Sequence, residues 1–258
     1  MAITYDTSAS DEGASASLTW NHTVSSASSN LLLVVGVAID APGGGDPVVS
    51  ATYATVAMTK ASAVEDGGGN ARTELWYLVN PATGTNEVKV VKTLTKKSIC
   101  SSLSFAGVDQ TTPVGLSASA QASSASPSVT VAGATDDVIV DSCAISTAAG
   151  TTVTVGAGQT QRTNSKHSGN TPNGSTSTEP GAASVVMTWD LSASRAWATA
   201  GMAIKPAAAA GGANVGARAF AIIMGILTLA IKAIAIPFRR HPTGVPQWRM
   251  PLHQTLEF

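Results

Sequence analysis

Between residues 3 and 205 the chain is a succession of short stretches in which apolar or β-branched residues alternate with small polar ones, punctuated by Gly, Pro, Asn and Asp. A period of two places successive side chains on opposite faces of a strand. The pattern predicts fourteen strands, over 3–6, 15–23, 31–40, 48–53, 56–63, 73–80, 87–94, 98–108, 114–120, 128–132, 138–146, 152–161, 183–190 and 195–205. That many short strands separated by turns predicts an all-β fold, an antiparallel sandwich. Leu31 to Val35 is apolar on both pleat faces, as a central strand covered on each side would be. In 73–79 the faces differ: Thr73, Leu75, Tyr77 and Val79 make the better core candidate, and Glu74, Trp76 and Leu78 lie opposite. The abundance of Ala and Ser favours closely packed sheets around one core. Turn residues cluster at 42–46, 66–70 and 81–84, and 164–181 reads as the longest loop, a place where binding residues often sit.

Composition removes several classes of function. With 44% hydrophobic residues and a formal charge of -1, the chain lacks the signature of disorder. Fifteen Lys and Arg balance sixteen Asp and Glu without a basic patch larger than Lys96-Lys97 in the strand region, which argues against nucleic acid as a partner. Cys100 and Cys143 fall in separate strand-like runs, so a disulfide and two buried thiols both remain open.

After residue 205 the composition shifts to an Ala/Gly linker, 206–218, and then to a 20-residue apolar stretch, 219–238, followed by a basic, proline-containing tail, 239–258. A helix rising ~1.5 Å per residue over this stretch matches the ~30 Å hydrocarbon core of a bilayer. Phe220, Ile222, Ile223, Leu227, Leu229 and Ile231 supply the apolar surface, while Lys232 is positioned to snorkel toward Arg239 and Arg240. Three readings compete: a membrane anchor, a helix buried in a homo-oligomeric stem, and a helix folded back on the sandwich. For a span, Arg239 and Arg240 place the tail in the cytoplasm and the strand domain outside. No signal peptide is visible at the N-terminus as given, which leaves a cell surface or a virion as the expected location.

Catalytic patterns are missing. There is no Gly-x-Ser-x-Gly elbow, and His22, His167, His241 and His253 form no metal-binding spacing with one another or with the cysteines. No cofactor is implied. For glycoside hydrolysis, Asp136-Asp137 reads as a strand start and Glu74 as the solvent-facing residue of an edge strand, paired with Arg72 or Lys89. The acidic turn at Glu65, Asp66 and Asn70 falls short of the roughly six to eight oxygens that calcium takes. Trp76 and Trp197 are the candidates for stacking on a sugar ring, each lying opposite the face assigned to the core.

Several pieces occur in a characteristic order: SSASSNLLLVVGVAID, VVSATYATVAMTKASA, GGGNARTELWYLVNPATGTNEVKV, SFAGVDQTTPVG and SPSVTVAGATDDVIVDSCA. They resemble, in a match that runs over residues 19–205, a β-sandwich module of bacterial secreted proteins and phage-encoded fibre or virion proteins. The most specific portions are ELWYLVNPATG and FAGVDQTTPVG. The resemblance implies a jelly-roll sandwich similar to concanavalin-like lectin domains, displayed extracellularly or on a particle, with no catalytic residues to carry over. The expectation is therefore a non-enzymatic structural or adhesive display protein, with a glycan-binding lectin-like protein as the alternative. Its partners would be copies of itself, a membrane through 219–238, or a glycan.

Overall fold

The computed structural model describes residues 1–40, 43–93, 95–146, 150–168 and 171–208, and these form antiparallel β-sheets throughout. The compact unit runs over Met1–Ala209. The stretch 219–238 and the tail 239–258 lie outside the described residues, as does the linker beyond residue 208. Among the described residues no helix is long and apolar enough to cross a membrane.

The first half of the unit holds β1 (Thr4–Gly13), β2 (Ser17–Val24), β3 (Leu32–Asp40), β4 (Val48–Tyr53), β5 (Val56–Ala57), β6 (Thr59–Glu65), β7 (Ala71–Val79), β8 (Gly84–Lys92) and β9 (Ser98–Ala106). The second holds β10 (Val114–Ser124), β11 (Ser128–Val131), β12 (Val138–Ile145), β13 (Val153–Val155), β14 (Thr160–Lys166), β15 (Asn173–Pro180), β16 (Val185–Leu191) and β17 (Arg195–Ile204). In the first half one sheet has the order β1-β9-β3-β7-β6 and the other β2-β8-β4-β5. The second half repeats this as β10-β17-β12-β15-β14 and β11-β16-β13. Apart from the two-residue β5, every strand of one half has a counterpart in the other at the same place in its sheet.

The two five-stranded sheets pack face to face and form the inner layers, with the shorter sheets outside them. Across the inner interface β3 meets β12, β7 meets β17, β9 meets β15, β6 meets β10 and β1 meets β14. Exchanging each strand for its counterpart returns the same set of contacts, so an approximate two-fold axis relates the halves. Strand registers locate the axis. Leu32 pairs with Val79 and Phe105, and Val138 pairs with Pro180 and Ile204, which makes Gly36 the counterpart of Ser142. These two face each other: a Cβ on Gly36 would sit 2.8 Å from Ser142 Oγ. The side chain missing at Gly36 is what lets β3 and β12 approach here.

The core is correspondingly divided into layers. Leu33, Val35, Val37 and Ile39 on one face of β3 pack with Trp20, Tyr53, Val88 and Val90 of the first outer sheet. Leu32 and Val34 on its other face join Leu75, Leu103 and Phe105 against Val140, Ala200, Met202 and Ile204 of the second half. The two-sided apolar run at Leu31 to Val35 thus belongs to a strand covered on both sides. In the second half Ile139, Val129, Val131 and Met187 form one cluster, and Cys143, Ile145, Trp189, Leu191 and Trp197 another. Each fully buried Val, Leu or Ile contributes ~1.5–3 kcal/mol relative to exposure.

Several local expectations change. The segment 164–181 is not a long loop, because β14 continues to Lys166 and β15 occupies Asn173–Pro180. The reason is that β15 lies inside its sheet and against β3 and β9, where Ser, Thr, Asn and Gly let backbones come close. A Cβ at Gly174 would meet Ile99 Cβ at 2.8 Å and Ala38 Cβ at 3.0 Å. The predicted strands at 56–63 and 152–161 each divide in two, and β1 extends to Gly13, well beyond residue 6.

Candidate functional site

Trp76 and Trp197 do not come together. Trp76 sits on β7, 7% exposed, in the core beneath the first outer sheet; Trp197, on β17 and 4% exposed, lies in the core of the second half. Each indole N–H is already used. Trp76 Nε1 donates to Glu74 Oε2 at 3.0 Å, and Trp197 Nε1 donates to Ser124 Oγ at 2.9 Å. Neither ring face is open to solvent. Both halves bury apolar surface on two sides of their inner sheets, so the side of β7 opposite the inner interface is a second core.

The densest cluster of charge surrounds Glu74. This residue was expected at a solvent-facing edge, but β7 lies between β3 and β6 and the carboxylate is fully buried. Arg72 Nε donates to Glu74 Oε1 at 2.7 Å, and Lys60 Nζ lies 3.0 Å from Glu74 Oε2. Arg72 is thus the partner foreseen, with Lys60 the second. Lys60 also rests over the Trp76 ring, 4.8 Å from its centroid. Asp46, on the loop before β4, closes the cluster by binding Lys60 at 2.5 Å and Arg72 at 3.2 Å. Burial pushes the Glu74 carboxyl above its ordinary range, against the opposing pull of Arg72 and Lys60. Asp46 is more exposed. Although burial raises it, the hydrogen bond and charge of Lys60, with the charge of Arg72, leave it below the ordinary value. Such a network ties the 43–47 loop to the sheet, and every charged group in it has an opposite charge in contact.

The neighbouring acidic turn is occupied by its own backbone. Asp66 accepts from the N–H groups of Gly68, Asn70 and Ala71 and from Asn70 Nδ2, closing the β6–β7 hairpin. These donors hold its carboxyl below the ordinary value although burial acts the other way. Among the described residues no three or more His, Cys, Asp or Glu side chains are grouped so as to hold a metal ion.

Two further polar groups went unrecognised in the sequence. His22 is 1% exposed on β2; its Nδ1 lies 2.9 Å from Ser102 Oγ, which also accepts from Trp20 Nε1 at 2.9 Å. Burial lowers the imidazole to about 4, with Asp6 pulling weakly the other way, so the ring is neutral. Asp141 is fully buried on β12 and accepts from Ser177 N–H at 2.8 Å, Ser177 Oγ at 2.7 Å and Trp189 Nε1 at 2.7 Å. Burial raises it to about 6 despite those donors. Each group cross-links an inner sheet to its outer sheet, His22 in the first half and Asp141 in the second. Their sequence signal was an isolated polar residue in the inward register of an apolar strand.

Cys100 and Cys143 are free and buried, Cys100 in the core of the first half and Cys143 in that of the second. Burial pushes the Cys100 thiol up to about 12 and Cys143 well above its ordinary value. Both are protonated and inert at neutral pH. Of the longest expected loop only the short connection from β14 to β15 remains. Asp137 is buried and accepts from Ala134 N–H at 2.8 Å, as the opening of a strand. No protein-family model, curated protein or solved structure matches the chain.

Proposed function

We propose that this chain is a non-enzymatic structural or adhesive display protein of a cell surface or a virus-like particle, attached through 219–238. The observation that carries this reading is the duplicated strand order. Setting β5 aside and numbering eight strands in each half, the inner sheet contains 1-8-3-6 and the outer sheet 2-7-4, as in a jelly roll, with strand 5 placed beside strand 6. Each half is on this reading one jelly roll, braced between its layers by buried polar groups. Buried Glu74, Asp141 and His22 each face donors or opposite charges that hold neighbouring elements. Such a body is a rigid spacer, and 219–238 supplies the means of attachment, in a bilayer or between copies. The glycan-binding alternative draws no support from Trp76 or Trp197, whose ring faces are covered.

The test is fractionation of the natural source, followed by sizing of the intact chain and of a version ending at Ala209. The cut belongs there because Met1 N donates to Ala207 O and Ala207 N to Gly107 O, so ending at Lys205 would strip contacts from the residues that flank β1 and β9. Extraction only by detergent supports the anchor. A detergent-free oligomer that falls to a smaller species on truncation supports assembly through 219–238. An intact chain that is freely soluble and unchanged in size by the cut would overturn attachment.

A further inference from the structure

The two inner sheets have four edges, and natural proteins guard such edges because a row of unpaired N–H and C=O groups is a template for another strand. Three carry charged residues, some of them engaged within the fold, as Lys60 is with Glu74 and Asp46 and Asp6 is with Ser25 N and Ser104 Oγ. β1 carries Asp6, Asp11 and Glu12, β6 carries Lys60 and Glu65, and β14 carries Arg162 and Lys166. The β1 and β14 edges are also bound to each other: the Arg162 guanidinium stacks 3.8 Å from the Tyr5 centroid, and Ser8 Oγ reaches Arg162 O.

The fourth edge is different. β10 is 11 residues long, VGLSASAQASS, with no charge and no proline. It pairs with β17 on one side, and among the described residues no backbone group of 114–124 has a partner on the other. Its one irregularity lies between Val114 and Ser117, leaving 117–124 in continuous register. Leu116 on this strand is 66% exposed, the most exposed of the large apolar side chains described. The outer-sheet edges β2 and β11 are uncharged too, but they are shorter, at 8 and 4 residues.

We propose that the free edge of β10 pairs with β10 of a second copy of this chain, antiparallel about a two-fold axis. The residues over 117–124 are Ser, Ala and Gln only, so any self-pairing register is free of like charges. The same side chains offer no charge or bulk by which to select a foreign strand, whose specificity would have to come from side-chain recognition. Pairing would also bring Leu116 against the far end of the partner's strand. This interface is independent of 219–238, and its failure would leave attachment through that segment untouched.

The test is a cysteine scan in the full chain, one substitution at a time at each of Ser117, Ala118, Ser119, Ala120, Gln121, Ala122, Ser123 and Ser124, with Thr130→Cys, the exposed residue of β11, as the control for random collision. Cys100 and Cys143 are buried and stay silent. Residues directly opposite in an antiparallel pair have Cα atoms ~4.5–5.5 Å apart, within reach of a disulfide. One residue away from the axis, the two copies of a position are ~8 Å apart, which is out of reach. Mild oxidation is therefore expected to give covalent dimer sharply at one scanned position or at two neighbouring ones. Association through 219–238 alone would give the same low yield at every position, and that flat profile would overturn the proposal. A second measurement uses Ser119→Lys with Ser123→Lys, checked for an unchanged circular dichroism spectrum. The pair should halve the particle mass in detergent, and an unaltered mass would equally overturn it.

Discussion

The internal two-fold axis makes a specific demand at Gly36. A Cβ there would lie 2.8 Å from Ser142 Oγ, 3.1 Å from Thr176 Cγ2 and 3.2 Å from Ser142 Cβ, across the interface of the two inner sheets. Gly36→Ala should cost ~1–3 kcal/mol as overpacking. Ser142→Gly alone loses the hydrogen bond from Thr73 Oγ1, 2.8 Å long, and adds a glycine to a strand. Those losses are ~0.5–1.5 and ~0.5–1 kcal/mol. Combined, the two changes exchange the small residue between counterpart strands, so their costs should not add. The double variant is expected to recover the part of the Gly36→Ala cost that Ser142 imposes, with the 3.1 Å approach to Thr176 Cγ2 remaining, a favourable coupling of ~0.5–3 kcal/mol. Urea unfolding of all four proteins, with m unchanged, measures this, and each kcal/mol should also move the melting temperature by ~2–4 °C. If Gly36→Ala is as stable as the parent, or the double variant shows the simple sum, β3 and β12 do not meet as described and the axis is misplaced.

Trp189→Phe removes the indole N–H from Asp141 Oδ2 and should cost ~1.5–3 kcal/mol in urea unfolding, the value of a hydrogen bond to a charged acceptor. Glu74→Gln leaves Lys60 and Arg72 facing a neutral group; because both cations keep Asp46, the loss should fall toward the low end of ~3–5 kcal/mol. A thermal melt indistinguishable from the parent would contradict that assignment. The pH dependence joins two opposing groups. His22, lowered to about 4, contributes stability that is present above its ordinary 6.5 and lost as pH falls through 4. Asp141, raised to about 6, contributes stability that is present below its ordinary 3.8 and lost as pH rises through 6. Each amounts to about 3 kcal/mol, so the two contributions should nearly cancel from pH 4 to 6.5. Asp141→Asn should then become less stable as pH falls, and His22→Gln less stable as pH rises. Urea midpoints across this range check both slopes, and two variants with the parent's profile would refute the pair.

Strand content was legible because period-two alternation survives wherever one face of a strand is apolar, as in β2 and β16. The missed strand, β15, reads NGSTSTEP because its neighbours press on it so closely that Ser, Thr and Gly fill the space apolar residues fill elsewhere. Glu74 and Trp76 were assigned to an open face because a sandwich has one core side per sheet, whereas each inner sheet here has two. The repeat itself left little trace. Aligning Leu32–Ile39 with Val138–Ile145 by register, only Val34/Val140, Ala38/Ala144 and Ile39/Ile145 are identical. Polar substitutions fall at Val35/Asp141 and Gly36/Ser142, one a brace to the outer sheet and the other at the axis. Topology is kept by burial pattern and register, which many residues satisfy, so two halves can share a fold while their letters drift apart.

Duplication also bears on how such a chain can assemble. The pseudo-axis makes β1 the counterpart of β10 and puts them on opposite sides of the stack, β1 beside β14 and β10 beside β6. Two equally open edges there would let copies pair from both sides and run on as an unclosed ribbon. Asp6, Asp11 and Glu12 stand on one of these edges, and no charge stands on the other. An uncharged β10 pairing with itself closes after two chains, because the outward edges of the dimer are then the guarded β1 and β14. The difference between counterpart strands is therefore where assembly would be limited, and moving it should change the product. Replacing Asp11 and Glu12 with Ser, and keeping Asp6 because it accepts from Ser25 N and Ser104 Oγ, should turn a β10-paired dimer into longer species on sizing, whereas continued dimers would show that charge on β1 does not set the limit.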